Sequence, residues 1–239
     1  MTTTPLRVLV TGACGGVGRE IVLRLASDGA QVIAADLDPT DVAGAIAAVR
    51  LDVSDDHSCT AAIAAAGDLL GGLDLLVSAA GIMVRQDALT TDIDVWQHVL
   101  DVNLSGMFRM ARVAFPLLSA SDRGSIVAVS STHAFLAAKN SIAYSVSKAG
   151  VSHLTRLLAL EWAEHGIRVN AVAPTVVPSP MTADVLADPA YRARKFTAIP
   201  LGEPIPAAAV AGAIAYLTSA DAAQITGHVL VLDGGESLA

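Results

Sequence analysis

The alternation of short apolar runs with longer segments rich in alanine and leucine constrains the fold of this 239-residue chain most strongly. Short, continuously apolar runs are typical of strands covered on both faces, and the segments between them suit helices. The pattern predicts seven strands, at residues 6–10, 31–35, 48–52, 73–79, 124–130, 168–174 and 229–233. It predicts helices near residues 17–28, 58–70, 92–118, 142–165 and 206–219. We therefore predict an α/β fold, a doubly wound parallel sheet with helices on both faces.

A single domain over residues 1–239 is expected, because the length suits one sizeable core and no repeat or linker interrupts the chain. Residues 175–205 depart from the alternation, with five of the ten prolines and a basic group of Arg192, Arg194 and Lys195. We interpret this segment as a long irregular lid over a substrate. Its cations could bind an acidic substrate or lie on a solvated helix face.

Charge and cysteine usage exclude several classes of partner. The net charge of −8 and the isoelectric point near 5.1 argue against nucleic acid or an anionic membrane. Cys14 and Cys59 have no C-x-x-C spacing, so neither a disulfide framework nor a zinc site is indicated. The N-terminus lacks a secretory signal, and the most apolar stretch, 63–84, contains aspartates and glycines. We expect a cytoplasmic protein without a membrane helix that binds small molecules.

A glycine-rich stretch, TGACGGVG at 11–18, joins the first predicted strand to the first predicted helix. Gly12, Gly16 and Gly18 permit a sharp turn and a close approach to a pyrophosphate at the positive end of that helix. We include Val17, between two of these glycines, among the cofactor-binding residues. The literal G-x-G-x-x-G spacing is absent, so a plain tight turn is the alternative.

Asp36 ends the second predicted strand, 18 residues after Gly18. A carboxylate there can accept hydrogen bonds from the adenosine ribose and would repel a 2′-phosphate. Neither Gly15 in the loop nor Leu37 after the aspartate supplies a cation, which favours NAD over NADP. A solvated carboxylate at a strand end is the alternative.

Asp52 and Val53 follow the third predicted strand. The Asp52 carboxylate could accept a hydrogen bond from the adenine amino group, and Val53 offers its backbone. A turn or helix N-cap aspartate explains the same spacing equally well.

Tyr144 and Lys148 lie four residues apart in a predicted helix, which places them one turn apart. A free phenol has a pKa of about 10, too high for a base near neutrality, and an adjacent ammonium would lower it. Ser131 follows the strand at 124–130, at the edge where ligands bind to parallel sheets. Asn103 is a further candidate. Alternatively, Tyr144 and Lys148 form an ordinary pair on a helix surface. Asn103 could likewise only bend its helix or bind the backbone.

In order and spacing these motifs resemble the short-chain dehydrogenases/reductases over nearly the whole chain. The resemblance rests on TGACGGVG (11–18), Asp36, LDV (51–53), AAG (79–81), VNLSG (102–106), SS (130–131), YSVSK (144–148), RVNAVAP (168–174) and ITGHVLVLDGG (225–235). It implies a Rossmann-like fold with a nicotinamide cofactor, here NAD, and a site that needs no metal.

The resemblance also implies a role for each matching residue. Tyr144 is the general acid/base, and Lys148 binds the nicotinamide ribose and tunes Tyr144. Ser131 holds the substrate oxygen, and Asn103 supports a water-linked proton relay. Further cofactor contacts are expected from residues that follow two of the predicted strands. They are Ala80 and Gly81 after the strand at 73–79, and the backbone of Val177 and Ser179 after the strand at 168–174.

Two departures from the family pattern stand out. Ser78-Ala79 replaces the usual Asn-Asn before Ala80-Gly81, which removes side-chain hydrogen bonds to the sheet. Pro174-Thr175 replaces the usual Pro-Gly, which removes a permissive backbone position beside the expected nicotinamide pocket.

Together these features predict an NAD-dependent oxidoreductase that acts on a secondary alcohol or its ketone: a polyol, sugar or cyclic alcohol. The alternatives are an NADPH-linked 3-oxoacyl or carbonyl reductase and a non-catalytic dinucleotide sensor, with lyase or dehalogenase chemistry ranked last. The helices at 92–118 and 142–165 resemble family interface helices, so we expect a homotetramer, with a dimer next. His133, two residues after Ser131, could contact the substrate, but we expect it to be a solvated loop residue.

Overall fold

A parallel sheet forms the centre of the computed structural model, which describes residues 4–40 and 42–238. Within those residues the strand order is β3-β2-β1-β4-β5-β6-β7, and every neighbouring pair is parallel. The strands are β1 Arg7–Thr11, β2 Gln31–Asp36, β3 Ala45–Arg50, β4 Leu75–Ser78, β5 Ser125–Val129, β6 Arg168–Pro174 and β7 Val229–Leu232. The predicted doubly wound α/β fold is confirmed, and the strand order reverses between β1 and β4, where ligands bind in such sheets.

Helices connect these strands. They are α1 Gly16–Ser27, α2 Asp56–Leu70, α3 Ile93–Leu100, α4 Gly106–Ser119, α5 Ile142–Trp162, α6 Ala183–Ala187, α7 Pro189–Thr197 and α8 Ala207–Thr218. In the part of the chain described, no helix combines the length and apolar character needed to cross a membrane.

Alternate residues of each strand face opposite sides of the sheet, which gives two apolar layers. Leu9 packs in the layer covered by α2, α4 and α5. Val8 and Val10 pack in the layer covered by α1 and α8. Because both layers share one sheet, its carboxyl edge is held rigidly from both sides.

The edge strand β3 differs from its prediction. It spans Ala45–Arg50 rather than 48–52, and its side chains alternate between partly buried and exposed. An edge strand has one neighbour and partial cover, so the rule of continuous burial fails there. Asp52 consequently lies beyond the strand, in the turn before α2.

The predicted helix at 92–118 is interrupted. Residues Asp101–Ser105 form a π-helical turn between α3 and α4, in which the backbone N–H of Gly106 donates to the carbonyl of Asp101. Arg109 supports the turn by donating to the carboxylate of Asp101 at 2.8 Å. A π-helical turn widens the helix locally, and such turns are frequent at functional sites. This one carries Asn103.

The segment 175–205 is more ordered than an irregular lid. It contains a 3₁₀ turn at Pro180–Thr182 followed by α6 and α7. Asp188 caps α7 by accepting from the N–H of Ala190 at 2.9 Å, and Pro189 occupies the first turn. The prolines therefore begin helices here instead of preventing them.

Candidate active site

The glycine loop is shaped by close contacts. Gly12 has φ +65°, and a Cβ there would lie 2.7 Å from Cα of Ala80. A Cβ at Gly18 would collide with the carbonyl oxygen of Gly12. In the described structure no side chain caps α1, whose N-cap is Gly15, so its first N–H groups have no side-chain partner. This arrangement fits a pyrophosphate, with Gly16 and Val17 in the first turn.

Asp36 holds this loop in place. Its carboxylate accepts from the N–H of Cys14 at 2.8 Å and from the N–H of Leu37 at 2.8 Å. Each carboxylate oxygen can accept further bonds, so ribose hydroxyls remain compatible with these contacts. Asp36 is thus bonded to the loop while remaining partly exposed, and its contact with the ribose stays a prediction.

Asp52 forms a turn of its own. Its Oδ1 accepts from the hydroxyl of Ser54 at 2.6 Å and the N–H of Ser54 at 2.9 Å, and these bonds lower the pKa of Asp52. The N-cap of α2 is Asp55, which accepts from the N–H of Ser58 at 2.6 Å. Val53 is buried against Gly106, where a Cβ would lie 2.8 Å from Cγ2 of Val53. The turn interpretation of Asp52 is thus correct, and a contact with adenine stays a prediction.

The departure at Ser78-Ala79 is compensated by Thr11. The Thr11 hydroxyl accepts from the N–H groups of Ala79 and Ala80, both at 3.1 Å. The end of β4 therefore remains tied to β1 without asparagine side chains. This bond holds Ala80 over Gly12 at the mouth of the loop.

Gly81 lies where two predicted site residues converge. A Cβ at Gly81 would lie 3.2 Å from Oδ1 of Asn103 and 3.5 Å from Nζ of Lys148. A Cβ there would press on Asn103 and would meet Lys148 at an ordinary contact distance. The structure therefore brings Gly81, Asn103 and Lys148 together.

The Asn103 side chain is 2% exposed and makes three hydrogen bonds. Oδ1 accepts from the N–H of Ile82 at 2.8 Å, and Nδ2 donates to the carbonyl of Ile82 at 2.9 Å. Nδ2 also donates to Oγ of Ser147 at 2.9 Å, and Ser147 in turn donates to the carbonyl of Tyr144 at 2.7 Å. Asn103 therefore clamps the loop after β4 to the start of α5.

Ser131, His133 and Tyr144 form a compact group. Ser131 Oγ accepts from the N–H of His133 at 3.2 Å, and the ring of His133 packs edge-on against Tyr144 with centroids 5.6 Å apart. Burial raises the pKa of Tyr144, and a hydrogen bond with Ser131 lowers it by less. The interpretation of His133 as a solvated loop residue is therefore wrong, because its ring packs on the phenol.

Lys148 is 5% exposed, and its Nζ donates to the carbonyl of Val129 at 2.8 Å. The same atom lies 5.6 Å from the centre of the Tyr144 ring. Burial lowers the pKa of Lys148 to about 8. The two side chains are adjacent, as their spacing predicts, but the expected lowering of the Tyr144 pKa by Lys148 is not found, because burial of the phenol dominates.

Val177 and Ser179 begin the lid. The carbonyl of Val177 accepts from the hydroxyl of Thr182 at 2.6 Å, and the N–H of Ser179 donates to the same hydroxyl at 3.1 Å. A Cβ at Gly16 would lie 3.0 Å from Cβ of Ser179. Ser179 therefore lies against the glycine loop, as a residue that contacts a dinucleotide would.

This chain is similar to known proteins over nearly its whole length. The family model described as enoyl-(acyl carrier protein) reductase matches residues 12–237. The 3beta-hydroxysteroid dehydrogenase 1 of Eggerthella lenta is 38% identical, over 97% of this chain and 93% of its own. Galactitol 2-dehydrogenase (L-tagatose-forming) of Cereibacter sphaeroides is 36% identical, over 95% of this chain and 92% of its own. The solved structure of a short-chain type dehydrogenase/reductase from Mycobacterium marinum is similar with TM-score 0.91 and 31% identity, over 98% of this chain and 96% of that one.

The chain belongs to the short-chain dehydrogenase/reductase family. The predicted resemblance is thereby confirmed, as is the prediction of an oxidoreductase that acts on CH–OH groups. Family membership brings a nicotinamide cofactor, and the glycine loop with Asp36 fits one.

The second departure from the short-chain dehydrogenase/reductase pattern, Thr175, has a defined partner. Thr175 does not adopt a positive φ within the described chain, so it needs no glycine-like freedom. Its hydroxyl donates to one carboxylate oxygen of Glu236, and Lys195 of α7 binds the other. The Lys195 and Glu236 side chains are only 15% and 12% exposed. We call these three residues the Glu236 latch, since they join the lid to the C-terminal turn.

The three basic residues of α7, Arg192, Arg194 and Lys195, have different surroundings. Lys195 is part of the latch, whereas Arg192 and Arg194 are exposed and lie over aromatic rings of the same helix. The solvated-face interpretation holds for these two arginines alone.

Sequence reasoning missed two residues of this short-chain dehydrogenase/reductase that contact the lid: Arg85 and Glu236. Arg85 donates to Asp184 of α6 at 3.2 Å and to the carbonyl of Met181 at 3.1 Å, and its charge acts on Tyr144. Residues 82–92 carry no motif, so their approach to the lid could be found only from the fold. Glu236 directly follows the recognised 225–235 motif, and that proximity was its one available signal.

Proposed function

We propose that this protein is an NAD-dependent oxidoreductase that transfers a hydride between a nicotinamide and a secondary alcohol or its ketone. The observation that carries the choice of NAD is Asp36, whose carboxylate is fixed beside the glycine loop by the N–H groups of Cys14 and Leu37. A negative charge held there disfavours a 2′-phosphate and can accept from two ribose hydroxyls.

The chain supplies residues along the length of such a cofactor. Gly12, Gly16, Val17 and Gly18 would hold the pyrophosphate, with Ser179 over it. Asp52 and Val53 would lie at the adenine end. Ala80, Gly81, Lys148 and the backbone of Val177 would border the nicotinamide riboside. When bound, the nicotinamide accepts the hydride in oxidation and returns it in reduction.

Proton transfer belongs to Tyr144. In oxidation Tyr144 takes the hydroxyl proton of the substrate as the C–H hydride leaves, and Ser131 donates to the oxygen that becomes the carbonyl. Reduction reverses the direction, with Tyr144 as the acid. Because burial raises the pKa of Tyr144, a base of this kind needs more positive charge than Lys148 alone provides. Lys148 would act on Tyr144 together with the positive charge that an oxidised nicotinamide would supply when bound.

The ammonium of Lys148 has three N–H donors, and one of them binds the carbonyl of Val129. The other two would donate to the ribose hydroxyls. Asn103 positions this lysine by fixing the loop at Ile82 and Gly81. A water-linked proton relay through Asn103 is part of the proposal. It would use the remaining lone pair of the amide oxygen.

The substrate class we propose is a polyol, sugar or cyclic alcohol. The names of the hydroxysteroid and galactitol dehydrogenases support a cyclic secondary alcohol and a polyol respectively. One finding favours a reductase of acyl substrates, as in the NADPH-linked alternative, namely the enoyl-(acyl carrier protein) reductase description of the matching model, which names no cofactor. Asp36 argues against it. An intact Ser131, Tyr144 and Lys148 set argues against a non-catalytic sensor.

We also propose a homotetramer, with a dimer as the second choice. Large apolar side chains are exposed along α5, among them Leu157 and Leu160, and Leu160 is 78% exposed. Phe108 is exposed on α4. Apolar helix faces of this kind suit self-association. A monomer at working concentration, measured by light scattering, would contradict the proposed self-association.

The test is reduction of NAD and NADP by the purified protein, followed by absorbance across polyols, sugars, cyclic alcohols and 3-hydroxyacyl thioesters. Turnover with NAD on one of the first three classes supports the proposal. A preference for NADP with a thioester supports the reductase alternative. Tight NADH binding without turnover, in a Tyr144-intact protein, supports the sensor.

A further inference from the structure

A second charged residue lies beside Asp36 at the glycine loop. The guanidinium of Arg19, near the start of α1, donates through Nε to the carbonyl of Cys14 at 3.0 Å. The carboxylate of Asp36 accepts from the N–H of the same Cys14 at 2.8 Å. Cys14 therefore lies between a guanidinium and a carboxylate, and each of them is bonded to its backbone.

Thr40 holds the other side of Arg19. Its hydroxyl accepts from Nη2 of Arg19 at 3.1 Å, and its backbone N–H donates to Sγ of Cys14 at 3.5 Å. Thr40 lies in the segment that follows Asp36 at the end of β2. The guanidinium is thus bonded both to the glycine loop and to the segment after β2. These are the two segments beside which an adenosine ribose binds in folds of this kind.

Arg19 has donors left for a ligand. A guanidinium carries five N–H groups, and its hydrogen bonds with the described residues use two of them. The residue is exposed, so a ligand that arrives from solvent can reach the other N–H groups. Both present partners are neutral oxygens, and hydrogen bonds from a guanidinium to an anion are stronger. An anionic group at this place would therefore join or replace them.

The anionic group that fits is a phosphate on the 2′ oxygen of the adenosine ribose. In the proposed complex Asp36 accepts from the hydroxyls of that ribose, and NADP differs from NAD by the phosphate at this position alone. A phosphate extends further from the ribose than a hydroxyl, and a guanidinium can bind two of its oxygens at once. Arg19 and Asp36 would therefore act in opposite directions on the same choice of cofactor.

Arg50 is another cation near Asp36. It pairs with Asp36 across β2 and β3, and it is exposed. Its charge contributes to the lowered pKa of Asp52, which places Arg50 towards the proposed adenine end. Arg19, by contrast, is hydrogen-bonded to the residue that Asp36 itself binds. The geometry therefore favours Arg19 as the partner of a 2′-phosphate.

We propose that Arg19 is a second cofactor-specificity residue, which binds the 2′-phosphate of NADP and opposes the repulsion by Asp36. This inference rests on the proposed dinucleotide-binding function and deepens it. Wild type then prefers NAD but retains measurable affinity for NADP. Its preference for NAD is smaller than the carboxylate alone would produce.

The experiment measures the dissociation constants of NADH and NADPH from the fluorescence of the reduced nicotinamide, which needs no turnover. In Arg19→Gln the ratio of the NADPH constant to the NADH constant should rise at least about fivefold, the effect of one charged hydrogen bond at an exposed site. In Asp36→Ala the ratio should fall, and adding Arg19→Gln to that variant should raise it again by at least about fivefold. In both comparisons Arg19→Gln should leave the NADH constant within about twofold of its value with Arg19 intact.

Two arginine variants serve as controls in the Asp36→Ala background. Arg24→Gln removes a cation of the same helix that is paired with Asp28 at 2.8 Å, and Arg50→Gln removes the competing cation. Both should change the ratio by less than about twofold. An unchanged ratio in Arg19→Gln, or a larger effect of Arg50→Gln, would overturn the inference. A parallel loss of NADH and NADPH affinity in Arg19→Gln would also overturn it, because the arginine would then only tie the loop together.

These outcomes are separable from those of the proposed reaction. A selective effect of Arg19→Gln on NADPH binding, in a protein that oxidises no alcohol, would uphold this inference and contradict the oxidoreductase proposal. Turnover with NAD and no selective effect would do the reverse. A folded wild type that binds neither cofactor would overturn both.

Discussion

Nζ of Lys148 lies 5.6 Å from the centre of the Tyr144 ring and donates to the carbonyl of Val129 at 2.8 Å. The cation is thus buried beside the phenol and held by the sheet. Burial disfavours the charged form of Lys148, so its charge lowers the stability of the fold. The same charge lies beside the phenol of Tyr144, where the proposed proton transfer needs it.

A pH dependence of stability follows from the pKa of Lys148. Burial lowers that pKa to about 8, against 10.5 for the free side chain. The unfolded chain therefore binds more protons between these values, so the free energy of unfolding rises with pH from about 8 towards 10.5 and is level below about 8, where both states are protonated. The size should be about 1–3 kcal/mol. Urea unfolding at pH 7.5 and 9.5 measures it, and Lys148→Met should abolish the rise while removing activity. An equal rise in that variant would assign the effect to another group.

Replacing Asp36 should change cofactor choice. In Asp36→Ala the repulsion of a 2′-phosphate disappears, so the ratio of kcat/KM with NADP to that with NAD should rise about 10- to 100-fold. Asp38→Ala, two residues beyond, is the matched control and should keep the wild-type ratio. An unchanged ratio in Asp36→Ala would show that the carboxylate does not face the ribose.

The Asn103 clamp should matter for stability as well as activity. Asn103→Ala leaves the N–H and carbonyl of Ile82 without their partners, which should lower the free energy of unfolding by about 2–3 kcal/mol. Urea unfolding tests this, with Gln97→Ala on the exposed face of α3 as the control. A loss below about 0.5 kcal/mol would mean that water replaces the side chain readily.

The Glu236 latch should position the lid. Glu236→Gln removes the charge that holds Lys195, so KM for the alcohol should rise about three- to tenfold while kcat changes less. Thr175→Val should act in the same direction, and the double variant should show less than the sum of the two effects, because both changes break one cluster. Arg192→Gln, on the exposed side of α7, should leave KM unchanged. Strict additivity would contradict a shared cluster.

The sequence predicted the sheet and the neighbourhood of Ser131, Tyr144 and Lys148, because strand ends and helical spacing determine these positions directly. It did not predict the π-helical turn that carries Asn103, which arises from tertiary contacts such as those of Arg109 and Ile82. The position of β3 was misjudged because an edge strand obeys a different burial pattern.

His133 shows why the surroundings of a single residue are harder to predict from sequence than a motif. From sequence alone a histidine in a short loop is expected in solvent, and only the structure shows that its ring packs on Tyr144. The same is true of Glu236, whose partners Thr175 and Lys195 come from distant parts of the chain. Long-range side-chain contacts carry no local periodicity, so sequence patterns do not show them.

The central claim is that Tyr144 transfers the proton while hydride passes to NAD, and Tyr144→Phe tests it most directly. With the best alcohol found, kcat should fall about 10²- to 10⁴-fold in this variant, while NADH binding, followed by fluorescence, stays within about twofold of wild type. His133→Phe serves as the neighbouring aromatic comparison and should retain most of the turnover number for cyclohexanol. Turnover by Tyr144→Phe at the wild-type rate would contradict the account.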